Sequence, residues 1–97
     1  MKKEVLKWAE VRNLLHIENV WKQYGKLQEE SLELYNAMLD QNHDEIEDAL
    51  GDIGVVMIIL CEQLGYDFQE CIEKAYNVIK DRKGVTKNGT FIKSEDL

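Results

Sequence analysis

Ninety-seven residues, 44% hydrophobic and 32% charged, describe one helical domain over residues 1–97 whose length limits the core it can bury alone, so self-association is expected. Twelve Lys and Arg against nineteen Asp and Glu leave a net charge of −7. That balance excludes the broad positive surface a nucleic-acid polymer needs, and either suits a protein that collects divalent cations or only keeps a small domain soluble. The apolar run Ile53 to Cys61 is far below the roughly 20 residues that span a bilayer, and no signal peptide is recognisable, so a cytoplasmic protein with no membrane partner is expected. Cys61 and Cys71 show no CxxC pattern and read as buried helical thiols of a reducing compartment, not as a disulfide or zinc site.

The chain contains no proline, and its punctuation is helical throughout. A first helix is expected over about 3–14, with Val5, Trp8, Val11 and Leu15 on one stripe. A second runs from about Glu18 to Leu39, with Val20, Trp21, Tyr24, Leu27, Ser31, Tyr35 and Met38 facing inward. Asp40 to Asp44 reads as a polar turn in which Asn42 caps a third helix, with Glu45 as its capping-box partner. That helix reaches about Leu64, and Gly65 offers a left-handed C-cap. Its second half, Ile53 and Val55 to Leu60, has almost no polar face, which predicts a subunit interface along it.

Asp67 and Glu70 repeat the capping-box pattern before a fourth helix, in which Phe68, Cys71, Ile72, Ala75, Tyr76 and Ile79 form one apolar stripe. Arg82, Lys83 and Gly84 close it, with cations on the negative helix end. Asn88-Gly89 is the dipeptide of two-residue hairpin turns, so the tail 85–97 is either a small hairpin or a flexible arm. The expected fold class is all-α: a bundle of about four helices with its core over about 3–84, completed by homo-oligomerisation.

At about 100° per residue, Glu29, Glu30 and Glu33 share one ridge of the second helix, and Glu45, Asp48 and Asp52 share one of the third. Each glutamate taken singly reads as part of a solvated face, whereas Asp52 borders an apolar run, where carboxylates are rare. Two acidic ridges on facing helices repel unless a cation lies between them or protons are taken up. Oxygen donors alone favour Mg²⁺ or Mn²⁺ over zinc, and magnesium on few carboxylates keeps the waters that phosphoryl chemistry uses.

Lys26-Leu27-Gln28-Glu29-Glu30-Ser31-Leu32-Glu33-Leu34, Asp48-Ala49-Leu50-Gly51-Asp52-Ile53-Gly54 and Ala75-Tyr76-Asn77-Val78-Ile79-Lys80-Asp81-Arg82-Lys83-Gly84 together resemble the MazG-like branch of the all-α nucleoside triphosphate pyrophosphohydrolases. The resemblance runs from Trp8 to Lys93. It implies a homo-oligomer, dimer or tetramer, that hydrolyses a standard or modified nucleoside triphosphate to monophosphate and pyrophosphate with Mg²⁺. It makes Glu30 and Glu33 metal ligands, Glu29 a ligand or the group that orients the attacking water, and Asp52 the end of the second motif. The family's second motif is commonly ExxD, and this chain has Ala49 where the glutamate would stand. Asp48, at i−4 from Asp52, is the expected substitute ligand, with Glu45 in reserve.

A triphosphate also needs cations. Lys74, Lys80, Arg82 and Lys83 of the fourth helix, with Asn77 as an uncharged hydrogen-bonder, are the expected substrate-binding groups, though the same residues also complement the helix end. The spacing of Trp8, Trp21 and Tyr24 favours core packing over base stacking, and His16 and His43 lack partners at ligand spacing. The missing glutamate keeps a rival in view: a nucleotide-binding or oligomerisation module of the same fold with impaired turnover.

Overall fold

A computed structural model describes all residues, 1–97, as four helices and a terminal hairpin. In chain order these are α1 (Lys2–Glu10), a 3-10 turn (Ile17–Asn19), α2 (Val20–Leu39), α3 (His43–Gln63), α4 (Phe68–Ile79), β1 (Gly84–Lys87), β2 (Thr90–Lys93) and a last 3-10 turn (Ser94–Asp96). The expected four-helix arrangement is present. No single helix is long and apolar enough to cross a membrane.

Three of the helices end in the same backbone closure. Leu14 N–H returns to the Ala9 carbonyl (3.0 Å), Asn42 N–H to Ala37 (3.0 Å) and Tyr66 N–H to Cys61 (2.8 Å), each enclosing a bond between residues three apart. The closure needs one left-handed residue, supplied by Asn13 (φ 58°), Gln41 (φ 55°) and Gly65 (φ 86°). Glycine announces itself in a sequence as such a residue; asparagine does so weakly and glutamine not at all. This is why α1 stops at Glu10 and not near residue 14. The N-termini follow the sequence more closely. Asn42 Oδ1 accepts the Glu45 N–H (3.2 Å) and Asp67 Oδ2 the Glu70 N–H (3.0 Å).

The three-residue link Asp40 to Asn42 folds α2 back along α3, and their contact is the most extensive in the molecule. Val20, Gln23, Leu27, Glu30, Leu34 and Ala37, spaced at alternating threes and fours, turn away from solvent along α2, and Ala37 is almost completely buried. The expected inward face was therefore misplaced by about one residue. Only Val20 and Leu27 of it turn inward, while Trp21 (80% exposed), Tyr24, Tyr35 and Met38 face outward. Periodicity alone favours the stripe with the larger aromatics; the structure buries the smaller residues because Ala and Leu let two helix axes approach closely.

α3 is the centre of the fold. α1 and α2 both pack on α3, whose Val56, Ile59, Leu60 and Cys61 are buried while Val55 stays partly exposed, and further uncovered apolar residues lie on α2 and α4. Gln63, only 5% exposed, ties α3 to the chain after α1 by donating from Nε2 to the Leu14 carbonyl (2.6 Å). α4 leaves α3 at 99° and is exposed from Gln69 to its end, Cys71 included, against the expectation that both thiols are buried. It stops at Ile79, so Arg82 and Lys83 lie in the link to β1 and not on the helix.

β1 and β2 pair antiparallel with Val85 opposite Ile92. Asn88 (φ 51°) and Gly89 (φ 79°) make the two-residue turn. Gly84 opposite Lys93 admits no side chain, since a Cβ there would collide with the Ile92 carbonyl. The open shape has a price in core. Only eight residues are buried, none of them a large fully enclosed side chain, and the radius of gyration is 16.4 Å against about 12.5 Å for a compact chain of this length.

Candidate metal centre

Glu30 belongs to the inward stripe of α2, which makes it half-buried while its neighbours Glu29 and Glu33 stay exposed. Its Oε2 is shut off from solvent with no hydrogen-bond partner. One turn further along α2 stands Glu33, and across the helix pair stands Asp52 of α3. Carboxylate oxygens from the three lie within 4.8 Å of one another. Burial first, then the close carboxylate of Glu33 and the charge of Asp52, raise the pKa of Glu30 above the ordinary glutamate value, and Lys26 opposes this weakly.

Such a triad is unfavourable when empty and favourable around a cation. An oxygen-only donor set with an orphaned, desolvated oxygen fits a hard divalent ion such as Mg²⁺. Beside it opens a cavity of about 330 Å³ lined by Glu33, Glu45, Asp48, Ala49 and Asp52. Asp48 thus faces the same space as Glu33 and Asp52, joined by Glu45. Ala49, 3% exposed, is buried in the wall of this cavity, where a longer side chain would reach the acidic groups.

Asp52 also lines a second, mostly apolar cleft of about 430 Å³ between α1 and α3, formed with Glu4, Val5, Trp8 and Val55. Trp8 is half exposed there and not a core residue, with the Arg12 guanidinium 4.3 Å from its ring centroid. The helical spacing of Trp8 pointed to packing; the early end of α1 and the opening next to Asp52 give it a free face.

The other expected site residues are distributed differently. Glu29 is exposed and paired with Lys26 at 3.2 Å, one residue from the triad and outside both cavities. Lys26 itself was not picked out in the sequence, although its i, i+3 spacing to Glu29 was the available signal. Asn77 lines a shallow groove on α4 with Gln69, Ile72, Glu73 and Tyr76, and Arg82 lies with Lys83, Lys93 and Ser94 near the hairpin. Lys74 and Lys80 are exposed. None of these four shares a cavity with the carboxylates of its own chain. His16 and His43 are exposed and lie outside both cavities.

A helical hairpin with convergent carboxylates at mid-length defines an all-α protein with a candidate site for a divalent cation. The chain belongs to the MazG-like family, whose model matches residues 12–97. It is 43% identical over 61 residues to an uncharacterised 18.2 kDa protein of the rep–hol intergenic region of Haemophilus phage HP1 (strain HP1c1). That match takes in 63% of this chain and 37% of the phage protein, so the chain spans well under half of its relative. No solved structure gives a significant match.

Proposed function

We propose that this protein is a Mg²⁺-dependent nucleoside triphosphate pyrophosphohydrolase acting on a standard or modified NTP or dNTP. The observation that carries the reading is the meeting of Glu30, Glu33 and Asp52, in which Glu30 also keeps one buried oxygen without a partner. These three, with Asp48 from the adjoining cavity, would hold the ion. Bound there, Mg²⁺, or Mn²⁺ in its place, supplies positive charge against the phosphates and makes water more acidic.

The chain's own groups do the rest. Glu29, at the rim beside Lys26, orients the attacking water and takes its proton as the water oxygen bonds to the α-phosphorus and the bond to the bridging oxygen breaks. The mostly apolar cleft next to Asp52 offers the Trp8 ring to a base. Lys74, Asn77, Lys80 and Arg82 neutralise the departing pyrophosphate. Because α4 does not line the carboxylate cavities of its own chain, this role is assigned to α4 of a second copy in a dimer or tetramer. The uncovered apolar residues Trp21, Tyr24 and Tyr35 on α2 and Ile72, Tyr76 and Ile79 on α4 support that assembly.

Protein supplied with Mg²⁺ releases pyrophosphate from at least one member of a panel of standard and modified nucleotides. Glu33→Gln or Asp52→Asn lowers that rate by about 100-fold or more, beyond the roughly 10- to 100-fold cost of losing an outer partner of a metal ligand, with the helical circular dichroism intact. No release across the panel, together with no heat of Mg²⁺ binding, overturns the proposal.

Ala49 favours a second reading, a nucleotide-binding module of the same fold with little turnover, because the family's usual glutamate is replaced by a buried methyl group. The variant Ala49→Glu decides. Turnover that rises in it marks an impaired enzyme, and nucleotide binding with no hydrolysis in either form supports the module.

A further inference from the structure

The cleft between α1 and α3 joins the candidate metal centre through Asp52, which lines both spaces, and the rest of its wall is Glu4, Val5, Trp8 and Val55. Asp52 belongs to the carboxylate triad, so Glu4 is the one charged group left to read whatever enters. Glu4 and Trp8 stand four residues apart on α1, one turn along the same face, with roughly 5–6 Å between their Cβ atoms. A flat ring laid on the indole therefore turns an edge toward the Glu4 carboxylate. The Arg12 guanidinium lies 4.3 Å from the indole centroid but outside the cleft, and donates from Nη1 to the Trp8 carbonyl (2.9 Å). It holds the indole without filling the space a base would take.

Glu4 carries one ion pair, from the terminal ammonium of Met1 to Oε1 (3.3 Å), and Oε2 stays free to accept. Its own backbone N–H first, and then that ammonium, hold the carboxyl below the ordinary glutamate value, so at neutral pH it accepts hydrogen bonds and donates none.

We infer that this cleft selects nucleotides whose base carries an exocyclic amine, cytosine, adenine or guanine, over uracil and thymine, with Glu4 as the residue that discriminates. The inference rests on the nucleotide chemistry proposed for the neighbouring carboxylates. Cytosine N4 and adenine N6 each present an N–H to a carboxylate, and guanine presents N1–H and N2–H side by side. Uracil and thymine present a single N3–H between two carbonyl oxygens, both of which a carboxylate repels. At about 430 Å³ the cleft has room for a purine or a pyrimidine, so the amine and not ring size sets the choice. Glu4 is 69% exposed, which keeps the discrimination to about 10-fold, far below that of an enclosed site.

The whole chain with Mg²⁺ is assayed for pyrophosphate release from dCTP and dUTP, a pair of equal ring size, and then from dATP, dGTP and dTTP. A kcat/KM about 10-fold higher for dCTP than for dUTP is expected, carried by KM and not kcat because the base lies away from the bond that breaks. Glu4→Gln, whose amide can turn either its carbonyl or its NH₂ toward the base, should bring the two within about twofold. Equal or reversed kcat/KM values, or a preference that persists in Glu4→Gln, overturn the inference while leaving hydrolysis itself standing. If no nucleotide is hydrolysed, calorimetry with cytidine and uridine 5′-monophosphates decides. Tighter binding of the cytidine form that is lost in Glu4→Gln supports the selectivity of the cleft, and equal or absent binding overturns it.

Discussion

The α2–α3 pair and the α4 arm are both amphipathic, yet only the first finds its counterpart within the chain. Along α2, Leu27, Leu34 and Ala37 settle on α3 and draw Glu30 into the contact with them, so the burial that builds the core also desolvates a carboxylate. Along α4, Ile72, Tyr76 and Ile79 stay exposed. The titrations move in opposite directions. Burial and the carboxylates of Glu33 and Asp52 raise Glu30, whereas the Lys2 ammonium and then the Glu70 N–H lower Asp67 at the α3–α4 corner. The carboxylates thus converge within the chain, and Lys74 and Lys80 are presented outward on α4 and at its end. Packing, not charge, makes this difference, since acidic groups tolerate mutual approach only where apolar neighbours enforce it.

The contrast can be broken at its tightest point first. Ala37→Leu forces three extra carbons into the α2–α3 contact and is expected to cost about 1–3 kcal/mol in chemical denaturation. Tyr76→Ser on the open face of α4 is expected to change the stability of the single chain by no more than about 0.5 kcal/mol while lowering the sedimentation mass. A Tyr76 variant as destabilised as the Ala37 one would show α4 to be part of the protomer core. Next in size, Gln41→Gly removes the cost of a left-handed non-glycine residue between the two helices and should stabilise the chain by about 1 kcal/mol.

The smallest effect is a pH dependence. Between the ordinary glutamate value and the raised one of Glu30, the folded chain binds more protons than the unfolded chain, so metal-free stability falls as pH climbs through that window. Asp67, held low, contributes in the opposite sense, with stability present above its unfolded value and lost as the pH drops through its lowered one. Glu30→Gln should remove the first slope and leave the second, as thermal unfolding across the acid range will show.

Helix number, the N-caps Asn42 and Asp67 and the Asn88-Gly89 turn were legible in the sequence because each is written in adjacent residues. The end of α1 and the facing of α2 were not. Asn13 and Gln41 adopt a conformation that their side chains scarcely advertise, and two competing stripes on α2 differ only in which one a partner helix can approach. At the site, the carboxylates could be read from spacing, since residues three and four apart must share a helix face. The separation of Lys74, Asn77, Lys80 and Arg82 from them could not, because the 99° corner after Gly65 is a tertiary outcome.

The central claim is that Glu30, Glu33 and Asp52 hold a divalent cation, and titration of Mg²⁺ followed by calorimetry and unfolding midpoint tests it most directly. The wild-type chain should bind the ion and gain about 2.7 kcal/mol of stability at a concentration of about 100 times Kd. That gain should vanish in Asp52→Asn. A wild-type protein that gives no heat and no shift, or an Asp52→Asn variant that responds as strongly as the wild type, contradicts it.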